Sequence, residues 1–294
     1  LALRRLRVRL TVARTIKGDA SMKTALTEEQ IHKYRDDGYV KIDQFLDAGE
    51  VAELKGAVLQ AAGTLGKAKV AGGGNQDIQD DDGFYGKVFT QKVNLWRINP
   101  TCKKYMLDPE LGKMLCRLTG AGGYRIWHDQ TLIKEPFGNI TAFHLDNPYW
   151  SFTSRDSISI WIALEDATLE NGCMWFQPGT HKMARYNETE GRFDGVGIGH
   201  NMGEICKAFP EMAKVDPVPV TMKAGDCSFH NGLLSHGAGP NMTRKRRIAM
   251  TCAYMPEGSK FNGQQNVLAR DYFQSLKKGD VLANDEWNPV VGRI

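Results

Sequence analysis

Residues 157–181 read Ser-Ile-Ser-Ile-Trp-Ile-Ala-Leu-Glu-Asp-Ala-Thr-Leu-Glu-Asn-Gly-Cys-Met-Trp-Phe-Gln-Pro-Gly-Thr-His, and the fold turns on this stretch. Two short β-rich runs, Ser157–Leu164 and Cys173–Gln177, flank Glu170-Asn171-Gly172, and Asn-Gly suits the positive φ angles of a tight hairpin. The same texture continues outward on both sides. Tyr124–Trp127, Thr131–Lys134, Ala142–Asp146, Val218–Met222, Cys227–His230 and Ile248–Tyr254 are further short runs, alternating or rich in β-formers, with turn residues between them. Strands this short and this numerous predict a jelly-roll or barrel core.

Upstream the pattern is helical. Thr27-Glu-Glu-Gln30 sets a capping threonine three residues before a glutamine, with Ile31 and Tyr34 on one face, and Gly38 stops the predicted helix. Tyr39–Ile42 then alternates as a short strand. Asp47 and Glu50 repeat the capping pattern ahead of Val51, Leu54, Val58 and Leu59. Asp108-Pro109 starts another helix, whose buried stripe is Leu111, Met114, Leu115 and Leu118. We expect a mainly β fold with flanking helices (α+β), organised as one domain over 22–294: a helical part over 27–120, a jelly-roll core over 124–255 and a tail over 256–294. Residues 71–83, rich in glycine and acids, predict a mobile loop or lid, without the ligand spacing of a calcium loop. Residues 182–216 predict a substrate-covering insertion with a helical patch near Met202–Met212.

Composition narrows the function classes. A hydrophobic fraction of 41% and a charged fraction of 24% are those of an ordinary globular domain, and no apolar run is long enough to span a bilayer, so no membrane partner is expected. The net charge of +4 is misleading, because residues 1–21 carry six cations (Arg4, Arg5, Arg7, Arg9, Arg14 and Lys17) against Asp19 alone. The remainder is slightly acidic, which removes a global electrostatic case for nucleic acid. We expect this basic N-terminal extension to lie outside the fold, an organelle transit segment being the alternative. Six cysteines with no Cys-x-x-Cys pair predict reduced thiols in a cytoplasmic protein.

The chemistry is carried by four residues. His144 and Asp146 stand one residue apart, His236 follows 92 positions later, and Arg247 lies eleven beyond that. Two imidazoles and a carboxylate occupy one face of an octahedron and leave three positions open, as in non-heme Fe(II) oxygenases. On a strand, His144 and Asp146 would share a face while Leu145 points away. Alternation along the last β-rich run would turn Arg247, Ala249 and Thr251 inward and Ile248, Met250 and Cys252 outward, which favours Arg247 over Arg244, Lys245 and Arg246 as the anchor for an acidic cosubstrate.

These residues sit within larger blocks. Leu132-Ile-Lys-Glu-Pro136, Phe143-His-Leu-Asp-Asn-Pro-Tyr-Trp150, the run Trp161–His181, Gly225-Asp226, and His236-Gly-Ala-Gly-Pro-Asn241 through to Arg247 together resemble the phytanoyl-CoA dioxygenase family of Fe(II)- and 2-oxoglutarate-dependent oxygenases. The resemblance covers most of residues 27–255. It implies a double-stranded β-helix (cupin-like jelly roll) in which His144, Asp146 and His236 bind Fe(II) and Arg247 holds the far carboxylate of 2-oxoglutarate. It also implies polar contacts to that cosubstrate from Gln130 and Lys134, and a place near it for Trp161. O2 is the second cosubstrate, succinate and CO2 are the products, and a small molecule is hydroxylated; the presence of Asp146 favours that outcome over halogenation. Ala238 stands where relatives commonly have serine, which removes a possible hydroxyl contact to the cosubstrate, and Asn241 is expected to close a turn on its own backbone.

The substrate class stays open. Tyr149, Trp150, Trp175 and residues 182–216 could frame a pocket, and Arg155, Lys182, Arg185 or Arg192 could meet an anionic group. His181 and His230 are expected to be structural. His128-Asp129 could be imagined as an acid–base pair, but no nucleophile motif accompanies it. Two alternatives remain: a noncatalytic small-molecule or metal-binding jelly roll, and a metal-dependent cupin-type oxygenase that does not use 2-oxoglutarate.

Overall fold

The computed structural model describes residues 22–75, 88–196 and 201–294; the extension 1–21 and residues 76–83 of the expected lid lie outside the described residues. The first helix, α1 (Glu28–Asp37), starts where Thr27 accepts the Gln30 N–H and Gln30 caps back, and it ends at Gly38, whose φ of 81° favours glycine. Strand β1 (Tyr39–Ile42) follows, and α2 (Ala48–Leu65) opens on the reciprocal Asp47–Glu50 cap. Next come β2 (Thr90–Val93), α3 (Pro100–Met106) and α4 (Pro109–Thr119), both helices with proline in the first turn.

The β core then runs through β3 (Gly123–Lys134), β4 (Thr141–His144), β5 (Ile158–Ala163), β6 (Met174–Phe176), β7 (Tyr186–Asn187) and β8 (Arg192–Phe193). After the short helix α5 (Glu204–Ala208) come β9 (Val218–Val220), β10 (Cys227–Asn231), β11 (His236–Ala238) and β12 (Arg247–Pro256), with α6 (Arg270–Ser275) and β13 (Val290–Arg293) at the end. Among the described residues these strands form two main antiparallel sheets, with β7 and β8 paired apart as a small two-stranded sheet. The larger has the order β1-β10-β5-β12-β3-β13, with β2 also paired to β3, and the smaller has the order β4-β11-β6-β9. The core is a jelly-roll sandwich of two open sheets and not a closed barrel.

Alternation along the large sheet assigns its faces. Ile158, Ile160, Ile162, Phe229, Ile248, Met250 and Cys252 pack outward against Leu54 and Val58 of α2 and Leu111, Met114 and Leu118 of α4 in one apolar core. Trp161, Ala163 and Ala249 point the other way, toward Met174 and Phe176 of the small sheet. The small sheet's outer face carries Phe143, and beside it lies Leu145; both are covered by Phe193, Ile205, Phe209 and Met212. The described part of 182–216 therefore seals the back of the small sheet, because that face is apolar and needs burial.

The expected hairpin at Glu170-Asn-Gly172 does not form. β5 pairs with β10 and β12 in one sheet while β6 pairs with β11 and β9 in the other, so this connection crosses between sheets. Only Gly172 of that turn takes a positive φ, 85°, where an added Cβ would lie 2.6 Å from the Gly239 carbonyl oxygen. Asp146 is also off its expected strand. β4 ends at His144, and Asp146 turns the chain in helical conformation (φ −76°, ψ −49°).

Candidate metal and cosubstrate site

His144 closes β4, and β11 runs antiparallel beside it with His236 directly opposite. The approach is close because Gly237 carries no side chain: a Cβ there would lie 2.7 Å from the Thr141 carbonyl oxygen of β4. The two imidazole centroids are 4.3 Å apart, and the turn after Leu145 brings Asp146 back to both rings. Asp146 Oδ1 lies 3.5 Å from His144 Nε2 and 3.8 Å from His236 Nε2. Among the described residues this trio forms a group fit to hold a metal ion, with one ligand atom from each residue and all three atoms within 4.8 Å of one another.

Second contacts fix the rings. His144 Nδ1 lies 2.8 Å from the Ala142 carbonyl and His236 Nδ1 lies 2.9 Å from the Leu234 carbonyl. Each Nδ1 must carry the proton, so each Nε2 offers a lone pair to the centre of the group. Burial, followed by the neighbouring His144, pushes the His236 imidazole down to about 3, which keeps it neutral and able to ligate. Burial works to raise the Asp146 carboxyl, but the surrounding imidazoles, His236 first, outweigh it and hold it well below the usual carboxylate range.

The trio opens into a cavity of about 300 Å³ between the sheets. Arg247, at the start of β12, lines it and is 2% exposed. Its guanidinium lies 5.1 Å from the Trp161 ring centroid, and its Nε and Nη1 have no hydrogen-bond partner among the described residues. Burial lowers its pKa to about 10, so it stays charged at neutral pH. Glu165, the carboxylate whose charge acts on it, makes no ion pair with it among the described residues, so the unused N–H donors of this buried cation suit an anionic ligand.

The other expected residues either line the cavity or brace the loops beside it. Gln130 and Trp161 line the cavity; Gln130 accepts a hydrogen bond from Gln91, and Trp161 Nε1 has no partner among the described residues. Lys134 shares the Gln130 face of β3 but does not reach the cavity. Its ammonium donates to the carbonyls of Asn139 (2.9 Å) and Gly239 (2.7 Å), tying two loops together. Asn241 clamps the same corner, donating to the carbonyls of Lys134, Glu135 and Lys245 while accepting from Thr243. Ala238 lines the cavity as a small apolar wall.

Of the expected substrate-framing residues, Tyr149 and Trp150 line the cavity, whereas Trp175 and the described part of 182–216 do not. The proposed anion-binding cations are engaged elsewhere: Arg185 with Glu211 and Asp194, Arg192 with Glu190, Lys182 with Asp36, and Arg155 over the Phe193 ring. His128 and Asp129 point to opposite faces of β3. His128 lines the cavity, while Asp129 Oδ2 accepts the Trp96 N–H at 2.8 Å on the other side. Sequence reasoning missed the walls supplied from outside 124–255: Lys69 after α2, Phe89, Gln91 and Val93 around β2, and Asn266 and Val267 in the tail. The period-two spacing of Gln91 and Val93 was the available signal, too short to stand alone.

Fold and site together define a jelly-roll protein with a two-histidine, one-carboxylate cluster in a cavity lined by a buried arginine with unused donors among the described residues. Residues 34–249 match the family model for phytanoyl-CoA dioxygenase, and the chain belongs to that family. The methylphosphonate hydroxylase of Gimesia maris is 26% identical over 245 residues, covering 79% of this chain and 82% of that protein. The crystal structure of the non-heme alpha ketoglutarate dependent carbocyclase SnoK from nogalamycin biosynthesis superposes with a TM-score of 0.73 at 26% identity, covering 93% of this chain and all of that one. The epimerase SnoN, solved in complex with Fe3+, alpha ketoglutarate and nogalamycin RO, gives 0.66 at 26% identity, over 90% of this chain and 98% of that one. Among the described residues no helix is long and apolar enough to cross a membrane.

Proposed function

We propose that the protein is an Fe(II)- and 2-oxoglutarate-dependent dioxygenase that hydroxylates an unactivated C–H bond of a small molecule, with release of succinate and CO2. The observation that carries this reading is Arg247, a buried, charged guanidinium whose Nε and Nη1 have no hydrogen-bond partner among the described residues, on the wall of the cavity that holds the His144, Asp146 and His236 cluster. In this reading His144, Asp146 and His236 hold the metal, and Arg247 receives the distal carboxylate of 2-oxoglutarate through parallel N–H donors. Trp161 packs beneath that guanidinium and limits its movement. Gln130, held by Gln91, presents a polar group to the cosubstrate, and Lys134 braces the adjoining loops.

When bound, the iron and 2-oxoglutarate supply the oxidising chemistry; the chain supplies ligation, orientation and exclusion of water. The relatives named above support the cofactor set, since two of them are alpha ketoglutarate dependent by name or by bound ligand. They also differ in outcome, being a hydroxylase, a carbocyclase and an epimerase. Hydroxylation is therefore tested directly. Anaerobic Fe(II) with 2-oxoglutarate should give a weak visible charge-transfer band, and O2 with a metabolite extract should give substrate-stimulated succinate and a product heavier by one oxygen atom. Neither band nor succinate identifies a noncatalytic binder. Arg247→Ala should weaken 2-oxoglutarate binding at least about 100-fold with metal binding retained; indifference to that change identifies an oxygenase that does not use 2-oxoglutarate.

A further inference from the structure

Asp146 is contacted from two sides. Its Oδ1 faces the two imidazoles of the metal group, at 3.5 and 3.8 Å. Its Oδ2 faces the large sheet, where His230 Nε2 lies at 3.5 Å and Ser159 Oγ at 3.4 Å. His230 and Ser159 are a cross-strand pair in the register of β10 with β5, both on the inward face. We propose that His230 and Ser159 act together as a positioning pair that holds Oδ2 of Asp146 away from the metal, so that the carboxylate offers one oxygen and the cosubstrate's positions stay open.

The surroundings of His230 suit that duty. The residue is 2% exposed and lies in the second strand of the large sheet, between β1 and β5. Its ring sits 5.4 Å from Phe176 and 4.7 Å from His236, centroid to centroid, and Phe176 is backed by Tyr39 stacked at 4.6 Å. Nδ1 is buried with no partner among the described residues, so Nε2 is the nitrogen with a hydrogen-bonding task, and it points at Asp146. A carboxylate can bind a metal through one oxygen or two. Binding through both would use a fourth position, and 2-oxoglutarate with O2 needs three of six. Two donors on Oδ2, fixed by neighbouring strands, set that choice before any ligand arrives. The pair sits on the opposite sheet from the ligand histidines, so facing of the two sheets itself completes the site.

This inference rests on the function proposed above, and its test separates the two. The variants are His230→Phe with Ser159→Ala, which keeps shape and removes both donors, and His230→Gln, which restores an N–H donor. Anaerobic titration of the Fe(II) proteins with 2-oxoglutarate reads cosubstrate affinity through the charge-transfer band, and calorimetric titration with Co(II) reads metal affinity. The expected result is a rise of about tenfold or more in the 2-oxoglutarate dissociation constant for the double variant. Metal affinity should stay within about threefold, and His230→Gln should lie near the wild type. Unchanged 2-oxoglutarate affinity in the double variant overturns the proposal, as does equal weakening in His230→Gln, which would mark a packing role. If the double variant does not fold, Ser159→Ala alone must still weaken 2-oxoglutarate selectively, or the pair is not the device. A wild-type protein without the band sinks the parent reading instead.

Discussion

His128 and Asp129 are neighbours in sequence that meet opposite environments, and each environment sets a proton. Burial pulls His128 down to about 4, leaving a neutral imidazole in the cavity wall. Burial pushes the Asp129 carboxyl up to about 7, despite the Trp96 N–H it accepts. The folded state thus binds the Asp129 proton more tightly than the unfolded chain does, so this residue's contribution to stability falls as pH rises from about 4 to 7. Asp129→Asn is expected to be more stable than the wild type by about 2–4 kcal/mol at pH 8 in urea unfolding, with the gap closing as pH falls toward 4. At this scale the sequence was legible where chemistry is specific: the spacing of His144, Asp146 and His236 and the strand phase of Arg247 were visible. It was mute about His230 and Ser159, because a contact to the far oxygen of Asp146 depends on how two sheets face each other and leaves no mark in spacing.

Elements were legible where their ends carry chemistry. The caps at Thr27 and Asp47 and the Asp108-Pro109 start announced three helices, each found where side chain meets backbone N–H. Strands were harder. β3 is one continuous strand where two runs were expected, β2, β11 and β13 are too short or too weakly alternating to read, and the Asn-Gly turn joins strands of different sheets. Local turn propensity cannot tell a hairpin from a crossing, since pairing is decided by the other strands competing for each edge. β11 shows what an element of three residues can decide. Gly237→Ala would press a methyl group into the β4 backbone, 2.7 Å from Thr141 O and 3.2 Å from Phe143 N. The expected cost is about 1–3 kcal/mol in stability. A larger loss in metal affinity than in thermal stability, read by Co(II) titration beside a melt, would show that His144 and His236 have been levered apart.

The large sheet takes strands from almost the whole described chain, from β1 at residue 39 to β13 at residue 293, wider than the 124–255 core expected from texture. Cavity walls follow the same rule, since β2 and the tail supply residues that the strand-rich middle does not. A cavity assembled from so many segments should report ligand occupancy as global stability. Fe(II) with 2-oxoglutarate, each near 100 times its dissociation constant, is expected to raise the melting temperature by several degrees, each ligand contributing about 2.7 kcal/mol. Arg247→Ala should lose the 2-oxoglutarate share alone, and Asp146→Ala should lose both. The antiparallel pairing of β1 with β10 joins Tyr39 to His230, roughly 190 residues later along the chain. On the ribosome, then, His144 and Asp146 emerge long before His236 and the strand that must stand behind Asp146. The group that can enclose an ion is complete only after β11 has emerged and paired with β4, so the ion's site is a product of that long-range pairing and not of the first two ligands alone.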